Sequence, residues 1–276
     1  MLGAEDQMPG EFSFTLSLTA MDILTDLLNL GSSVLIFEVP SVGATMDDRS
    51  LIRDAVLRDL TARRLANRGR LEQEVEDALT TLAKYRHAID GVAQLEDDKQ
   101  LIYRVATDGR IAVLARKEGT EIHFELLRPE GLVHAAMAPI GNVKAGPGQS
   151  ATFPEQQQEP PRAVHRRPEP DEGFGGLRKP DPAGTNYDLQ RRAAVTITEK
   201  PRTQIGWFTV YGRDQLGRHH RAPEVTWFDT EDGRYMGYRR PGTDGRQWTT
   251  YSPADTPRIA QQVIAMLNSL SAPPKR

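Results

Sequence analysis

The sequence contains no cysteine, no long uncharged apolar run and no excess of basic residues. Without cysteine, disulfide bonds, thiol nucleophiles and cysteine-based zinc sites are excluded. The most apolar window, 16–39, is interrupted by Asp22, Asp26 and Glu38, so it does not predict a membrane span. The formal net charge of −3 argues against general affinity for nucleic acid, which requires a basic surface.

The N-terminal residues MLGAEDQMPGEF carry acidic side chains. They lack the basic stretch and the following apolar stretch of a secretory signal. We therefore expect a cytoplasmic protein that does not insert into membranes.

No motif in the chain has the spacing of a known catalytic, cofactor or metal site. The glycine-rich stretch 141–148 lacks the Lys-Ser/Thr ending of a phosphate-binding loop, and 229–233 lacks the alternating acids of a calcium loop. The adjacent His219 and His220 have no companion cluster that would complete a metal site. We therefore expect a binding protein without catalytic residues, cofactor or metal. The alternative is an enzyme whose site is assembled from dispersed residues.

Two stretches of the chain repeat one order of elements. In both, an Asp-Gly-Arg turn follows an apolar strand, further strands come next, and a proline opens a helical stretch. Asp108 to Pro129 and Asp232 to Pro253 are both separated by 21 positions. The match predicts an internal duplication and a pseudo-twofold molecule. A chance similarity between two common strand–turn–strand–helix units is the alternative.

The remaining periodicities place further elements around the two copies. In the second copy, Ser252 or Asp255 is expected to cap the helix, with Pro253 in its first turn. The other predicted elements are a strand over 12–18, a short helix from a capping box at Thr19, a strand over 34–39, a helix from a capping box at Thr45 to about Leu65, a helix over 71–82, and strands over 87–94 and 204–212.

Composition divides the chain into three parts. Residues 146–184 are rich in Pro, Gly, Gln and Arg and have no apolar periodicity. Such a stretch buries too little apolar surface to offset the entropy of ordering it. We therefore predict an N-terminal half over 1–145, a disordered linker over 146–186 and a C-terminal half over 187–276.

Three stretches carry a resemblance to a known family, and they occur in the order in which that family has them. They are LTAMDILTDLLNLG, GATMDDRSLIRDAVLRDLTARRLANRGRLEQEVEDALTTLAKYR, and TWFDTEDGRYMGYRR followed by WTTYSPADTPRIAQQVIAML. The chain resembles the EspG family, cytosolic chaperones of the type VII (ESX) secretion systems of mycobacteria and related actinobacteria. The resemblance covers roughly 12–145 and 187–270. It departs at the insert near 150–184, where family members usually carry more helical sequence.

The resemblance implies a quasi-twofold α/β (α+β) fold with a central, largely antiparallel sheet flanked by two helical bundles. It also implies a partner, a PE–PPE heterodimer held at the tip of its PPE subunit, kept soluble and directed to one secretion system. The contact regions of the family correspond here to a loop and to the C-terminal helix. The implied partner-binding residues are Gln94, Leu95, Glu96, Asp97, Asp98 and Lys99 in the loop, and Arg258, Gln261 and Gln262 in the helix.

Physical reasoning leaves alternatives for these residues. In the loop, Leu95 would supply an apolar contact and its charged neighbours would steer the partner; an ordinary solvated turn is the alternative. Five strand aromatics divide between the core and an exposed sheet face, and an exposed tryptophan would be a candidate binding hot spot. They are Trp207, Trp227, Tyr235, Tyr238 and Trp248. An interaction scaffold of an unrelated pathway is the other candidate function, and a weak homodimer of the free chain stays open.

Overall fold

The computed structural model describes residues 12–31, 35–155, 182–214 and 217–271. Within them, an 11-stranded sheet carries helices on both faces. The helices are α1 (Leu18–Leu27), α2 (Met46–Ala62), α3 (Gln73–Ala83), α4 (Leu132–Met137), α5 (Pro182–Thr198) and α6 (Thr256–Ser271). The strands are β1 (Ser13–Ser17), β2 (Ala66–Asn67), β3 (Arg70–Leu71), β4 (His87–Gln94), β5 (Gln100–Thr107), β6 (Ala112–Glu118), β7 (Glu121–Leu127), β8 (Ala151–Pro154), β9 (Gln204–Arg213), β10 (His219–Arg221), β11 (Val225–Thr230), β12 (Gly233–Pro241) and β13 (Gln247–Pro253); β2 and β3 form a separate small hairpin.

The strand order is the same on both sides of a central seam. The order is β1-β7-β6-β5-β4-β9-β11-β12-β13-β8, with β10 added beside β9. At the seam β4 pairs antiparallel with β9, from His87 opposite Gly212 to Gln94 opposite Ile205. Outward from it, β5, β6, β7 and β1 follow on one side and β11, β12, β13 and β8 on the other. This arrangement confirms the predicted quasi-twofold α+β fold with a largely antiparallel sheet.

Several local predictions hold because they depend on short-range chemistry. Thr45 caps α2 through the predicted capping box, in which its hydroxyl accepts from the Asp48 amide and the Asp48 carboxylate accepts from Thr45. The Asp-Gly turn at Gly233 joins β11 and β12, as its sequence predicts.

At the two strand-to-helix junctions, the cap predicted for α1 is wrong, whereas for α6 one of the two predicted caps is confirmed and only the place of Pro253 differs. Ser17, not Thr19, caps α1: its hydroxyl accepts from the Ala20 amide, because the helix starts directly where β1 ends. At α6 the cap is Asp255, whose carboxylate accepts from the Arg258 amide, and Pro253 is the last residue of β13 rather than part of the helix.

The strand predicted over 34–39 is wrong. Leu35–Phe37 forms a 3-10 turn, and residues 32–34 lie outside the described part. Phe37 is fully buried in the N-terminal core, and its carbonyl accepts from the Lys117 ammonium. The segment therefore packs its side chains onto the face of the sheet instead of adding a strand to its edge. An apolar run alone does not distinguish these two outcomes.

The structure also moves the ends of the predicted linker 146–186. Strand β8 pairs with β13, with Ala151 opposite Tyr251, and α5 begins at Pro182. Backbone pairing with a strand distant in sequence orders 151–154, and composition does not report such pairing. The rest of the predicted linker, 156–181, lies outside the described residues.

The two faces of the sheet carry different helices. We call the side that holds Ala88 and Trp207 the front face, and the side that holds Ile89 and Phe208 the back face. On the back face, α4 packs over β4, β5 and β6 of the N-terminal half, α6 packs over β9 and β11 of the C-terminal half, and the two helices contact each other. On the front face, α1, α2 and α3 close a core over the N-terminal half, whereas α5 contributes Ile197 to a small cluster over the C-terminal half.

Candidate partner-binding surface

The loop Leu95–Lys99 is an exposed acidic turn. The Leu95 amide donates to the Lys99 carbonyl at 2.8 Å, which closes the loop. Asp97 and Asp98 have φ of 58° and 56°, a left-handed conformation that Asp tolerates better than most residues. Glu96 to Lys99 are exposed, while Leu95 is half-buried and packs on the back-face core. The loop therefore presents charge to solvent, and its leucine is largely occupied by internal packing.

Helix α6 presents the other predicted residues. Ile259 and Val263 are fully buried against the sheet. Arg258 and Gln261 are exposed on the opposite side of the helix, and Gln262 is half-buried. These polar side chains therefore lie on the outer surface of the back-face helical layer.

The structure brings the loop and the start of α6 to the same end of the sheet, where Leu95 of the loop packs into the back-face core that also holds Ile259 and Val263 of α6. Gln94, which precedes the loop, pairs with Ile205 and lies on the front side, like Trp207. At that end the Arg234 guanidinium donates to the Thr256 hydroxyl at 2.8 Å and so ties α6 to the β11–β12 hairpin on the back side. A partner that touched both groups would bind at this end of the sheet.

The exposed tryptophan is Trp207, in the central strand β9. Its exposed fraction is 39%, whereas Trp227 and Tyr235 are exposed by at most 1%, and Tyr238 and Trp248 are half-buried. Alternation could not separate these residues, because each lies on a strand with both faces partly apolar. Only the strand register and the absence of a described helix over β9 on the front side show which ring is accessible.

Two adjoining hollows lie on the front face of the seam and the C-terminal half. One has a volume of about 650 Å³ and is lined by Ile205, Thr226, Phe228 and Tyr251 among others. The other has a volume of about 570 Å³ and contains Trp207. Arg221 and Glu224 line both hollows. We call this surface, defined by Ile205, Trp207, Thr226, Phe228 and Tyr251, the open groove.

A buried ion pair forms the floor of the hollow that contains Trp207. Arg104 donates to both carboxylate oxygens of Asp90, at 2.6 and 2.8 Å, and both side chains are at most 8% exposed. The guanidinium also lies over the rings of Tyr85 and Tyr211, 5.5 and 5.7 Å from their centroids. Fixed hydrogen bonds and ring contacts of this kind make the floor rigid.

The protonation states of this floor are set by burial and by neighbouring charges. Burial alone would lower the pKa of Arg104, but its hydrogen bonds to Asp90 and the charge of that carboxylate raise the pKa above its ordinary value. Burial raises the pKa of both Tyr85 and Tyr211. Burial, with the charges of Arg213 and Arg104, lowers the pKa of His219. At neutral pH the arginine is therefore charged, while the tyrosines and the histidine are neutral.

The rim of the open groove is polar and mostly paired. Arg221 forms an ion pair with Glu224, and Arg239 lies 2.7 Å from Glu155. Arg202 lies over the Phe228 ring, 5.0 Å from its centroid. In the hollow around Ile205, Phe228 and Tyr251, apolar side chains thus lie inside a polar rim, which is the usual organisation of a protein–protein interface.

Metal and membrane chemistry find no support in the part of the chain that the structure describes. His219 contacts the Tyr85 hydroxyl at 3.3 Å and His220 contacts Asp214 at 3.1 Å, so the two rings have different partners. Among the described residues, no cluster of three or more His, Asp or Glu side chains is placed to hold a metal ion. No helix within the same residues combines the length and apolarity that crossing a membrane requires.

Comparison with known proteins gives a family and a shared fold. The EspG family matches residues 17–265. A search of curated proteins returns no significant match. Among solved structures, the chain is similar to EspG5, the type VII secretion system chaperone of Mycobacterium tuberculosis, solved in complex with the PE25–PPE41 dimer. That similarity has a TM-score of 0.63 at 13% identity and covers 96% of this chain and 99% of the other.

Proposed function

The chain belongs to the EspG family, and from this membership we propose that it is a cytoplasmic, non-catalytic chaperone that binds PE–PPE heterodimers and directs them to a type VII secretion system. The observation that carries the proposal is the family match, which spans residues 17–265. The shared fold with EspG5, which was solved with a PE–PPE dimer, supports it.

The open groove is the surface that we propose for the tip of the PPE subunit. A chaperone for an aggregation-prone helical tip has to cover apolar side chains and fix their register with polar contacts around them. Trp207 offers a large, partly exposed ring in the middle of the groove, and Ile205 and Tyr251 extend the apolar surface beside it. Tryptophan in such a position is the residue type most often found as a binding hot spot.

The acidic loop is the second part of the proposed contact. Gln94 lies on the front side, one residue before the loop, so a partner in the open groove reaches Glu96, Asp97, Asp98 and Lys99 at the end of the sheet. Exposed charges at an interface rim act mainly on the association rate and on the choice of partner. We therefore assign the loop to steering and Trp207 to affinity.

The outer residues of α6 form the third part. Arg258, Gln261 and Gln262 lie on the back side of the same sheet end. They would contact a partner only where its tip passes beyond the front face, so we propose a smaller contribution for them than for Trp207.

Co-expression with PE–PPE pairs encoded beside this protein, followed by size-exclusion chromatography, tests the function. We expect one pair to co-elute with the chain as a stable complex. If every neighbouring pair elutes separately from the folded chain, the chaperone proposal is wrong.

Variants of the same complex test the site. Trp207→Ala should weaken binding by at least tenfold, in the range of hot-spot losses. The matched control is Leu189→Ala, since Leu189 is 60% exposed on α5 and lies outside the open groove. Unchanged binding by Trp207→Ala in a complex that still forms would exclude the open groove while leaving the chaperone function intact.

Charge reversal of the loop tests the steering role. Asp97→Arg with Asp98→Arg should slow association and alter its dependence on salt, and it should lower thermal stability only slightly, because both side chains are exposed although Arg tolerates the left-handed backbone less well than Asp. Glu121→Arg with Glu125→Arg on β7 is the control, since both are exposed acids of the N-terminal half. A matching loss of folding in the loop variant would instead mark the turn as structural.

A further inference from the structure

Arg202 lies at the edge of the open groove and extends over its floor. Its guanidinium is 5.0 Å from the centroid of the Phe228 ring, and the residue lines the larger hollow together with Ile205. The side chain is exposed to solvent. Because an arginine stacks favourably on an aromatic face, the ring holds this cation above apolar side chains, inside the surface that a partner in the groove would cover.

The backbone on both sides of Arg202 is fastened to the sheet. Before it, at the end of α5, Lys200 forms an ion pair with Asp232 of the β11–β12 turn. After it, the Thr203 amide donates to the Asp229 carbonyl of β11 at 2.9 Å. The guanidinium is therefore held in place before any partner arrives, and little side-chain entropy is lost when it binds one.

Most of the hydrogen-bond donors of this guanidinium are available to a partner. An arginine side chain has five N–H donors. In the part of the chain that the structure describes, Arg202 makes one hydrogen bond, to the Thr198 carbonyl at 3.1 Å. A partner that covered the groove would remove water from the other donors, and leaving them without acceptors would cost free energy. A carboxylate fits best, because its two oxygens accept from two parallel N–H groups at once.

The other arginines that line the two hollows each have a carboxylate partner. The pairs are Arg104 with Asp90, Arg221 with Glu224, and Arg239 with Glu155. Among the residues with described side chains, none places a carboxylate within ion-pair distance of Arg202. Glu199, the nearest acid along the chain, is exposed and makes no such contact. Arg202 is therefore the cation of the open groove that lacks an internal counter-charge.

The acidic loop lies at the same end of the sheet as Arg202, on the other side of β9. Gln94, which precedes the loop, pairs with Ile205, three positions after Arg202. Phe228, under the guanidinium, belongs to β11, which pairs with the opposite edge of β9. The groove thus has negative charge on one side of β9 and positive charge on the other. A partner with the complementary charges fits in one orientation and meets like charges in the reverse one.

We propose that Arg202 is a specificity-determining residue, which binds the side-chain carboxylate of an Asp or Glu at the tip of the PPE subunit. This inference rests on the proposed chaperone function and goes beyond it, because it states which chemical group the partner presents and at which place. Together with the acidic loop, Arg202 sets the orientation of the tip in the open groove. A PE–PPE pair without an acid at that position is rejected.

The dissociation constant of the complex with the co-eluting PE–PPE pair tests the role of Arg202. Arg202→Gln should raise it by at least about tenfold, since the partner's carboxylate is left covered and unpaired. Arg202→Lys keeps the charge without the two parallel donors, so its effect should be intermediate. The matched control is Arg192→Gln, which removes an exposed arginine of α5 outside both hollows and should leave the constant unchanged.

Charge exchange between the two proteins identifies the contact. Arg202→Glu should weaken the complex more than Arg202→Gln, because it sets two carboxylates against each other. Each Asp and Glu at the PPE tip is then changed to Arg, one at a time. One of these changes should weaken binding to the wild-type chain and restore binding to Arg202→Glu by about tenfold. Such coupling measures a direct interaction, which a purely structural role of Arg202 in ending α5 does not produce.

The outcomes separate this proposal from the chaperone function. If Arg202→Gln binds the pair as tightly as the wild-type chain does, the proposal is wrong while the chaperone function stands. A loss of binding that comes with a lower melting temperature of the free chain, and that no PPE variant restores, would make Arg202 a structural residue and also overturn the proposal. Only the failure of every pair to bind the wild-type chain would remove the chaperone function, and this proposal with it.

Discussion

The two halves of the sheet have the same strand order, but helices cover the front face of one half much more than that of the other. In the N-terminal half, α1, α2 and α3 close the front over fully buried side chains such as Leu16, Leu24 and Leu60. In the C-terminal half, α5 is the helix described on that side, and Trp207 and the open groove stay accessible. The front of the sheet is therefore closed in the N-terminal half and accessible at Trp207 in the C-terminal half.

The largest expected difference between the two halves is in how much the arginine of each Asp-Gly-Arg turn contributes to stability. Arg234 is fully buried and donates to Asp229, to the Ile140 and Gly141 carbonyls and to Thr256. It thereby fastens the end of the first copy and the start of α6 to the second hairpin. Arg234→Ala should lower the free energy of unfolding by about 3–5 kcal/mol, because Asp229 is left as a buried, unpaired charge.

The equivalent arginine in the N-terminal half is the control. Arg110 is 68% exposed and lies 3.4 Å from Asp77. Arg110→Ala should cost less than about 1 kcal/mol, since exposed ion pairs contribute little. Urea denaturation of both variants gives the two values, and similar costs would show that the buried network does not distinguish the halves.

The next largest expected difference is in the stability lost when an aromatic residue on each front face is replaced by alanine. Phe124 is 1% exposed and stacks on Phe14 with ring centroids 4.7 Å apart. Phe124→Ala should cost about 3–5 kcal/mol of stability because it leaves a cavity in a closed core. Trp207→Ala should cost no more than about 2 kcal/mol, because part of that ring already contacts water. Equal losses in thermal denaturation would mean that the open groove is packed like the closed side.

The smallest expected difference is in the stability lost when the glycine of each turn is replaced by alanine. Gly233 has φ of +135°, and a Cβ atom there would lie 2.7 Å from the Lys144 carbonyl oxygen. Gly109 has φ of +97°, and the nearest atom to its added Cβ is 3.8 Å away on the flexible Arg86 side chain. Both alanine variants are strained, but Gly233→Ala should be less stable by at least about 1 kcal/mol more, since backbone has to move. Melting temperatures of the two variants measure this difference.

Short-range signals predicted much of the fold. The Asp-Gly turns, the Thr45 capping box and the strands that meet at the seam were visible in the sequence, since each depends on residues a few positions apart. The errors arose where distant segments decide the outcome. Ser17 caps α1 because pairing with β7 ends β1 at that residue. Leu35–Phe37 forms a 3-10 turn because Phe37 packs on the face of the sheet instead of pairing at its edge.

The candidate surface was predictable only in outline. The loop and the α6 residues were named from the family resemblance, and the structure places both at one end of the sheet. The sequence could not say that Leu95 packs inward or that Trp207, and not Trp227, is the accessible tryptophan. Each of these facts depends on what packs over a strand, which periodicity does not encode.

By itself the sequence determined the duplicated unit, its turns and its α+β class, because local backbone chemistry and apolar spacing specify these features. Tertiary structure alone decided that the two copies meet at β4 and β9, that β8 joins the C-terminal half, and that, among the described residues, helices close the front face over the N-terminal half only. The physical reason is that burial is a property of distant contacts. Identical turns therefore hold an exposed arginine in one half and a fully buried one in the other.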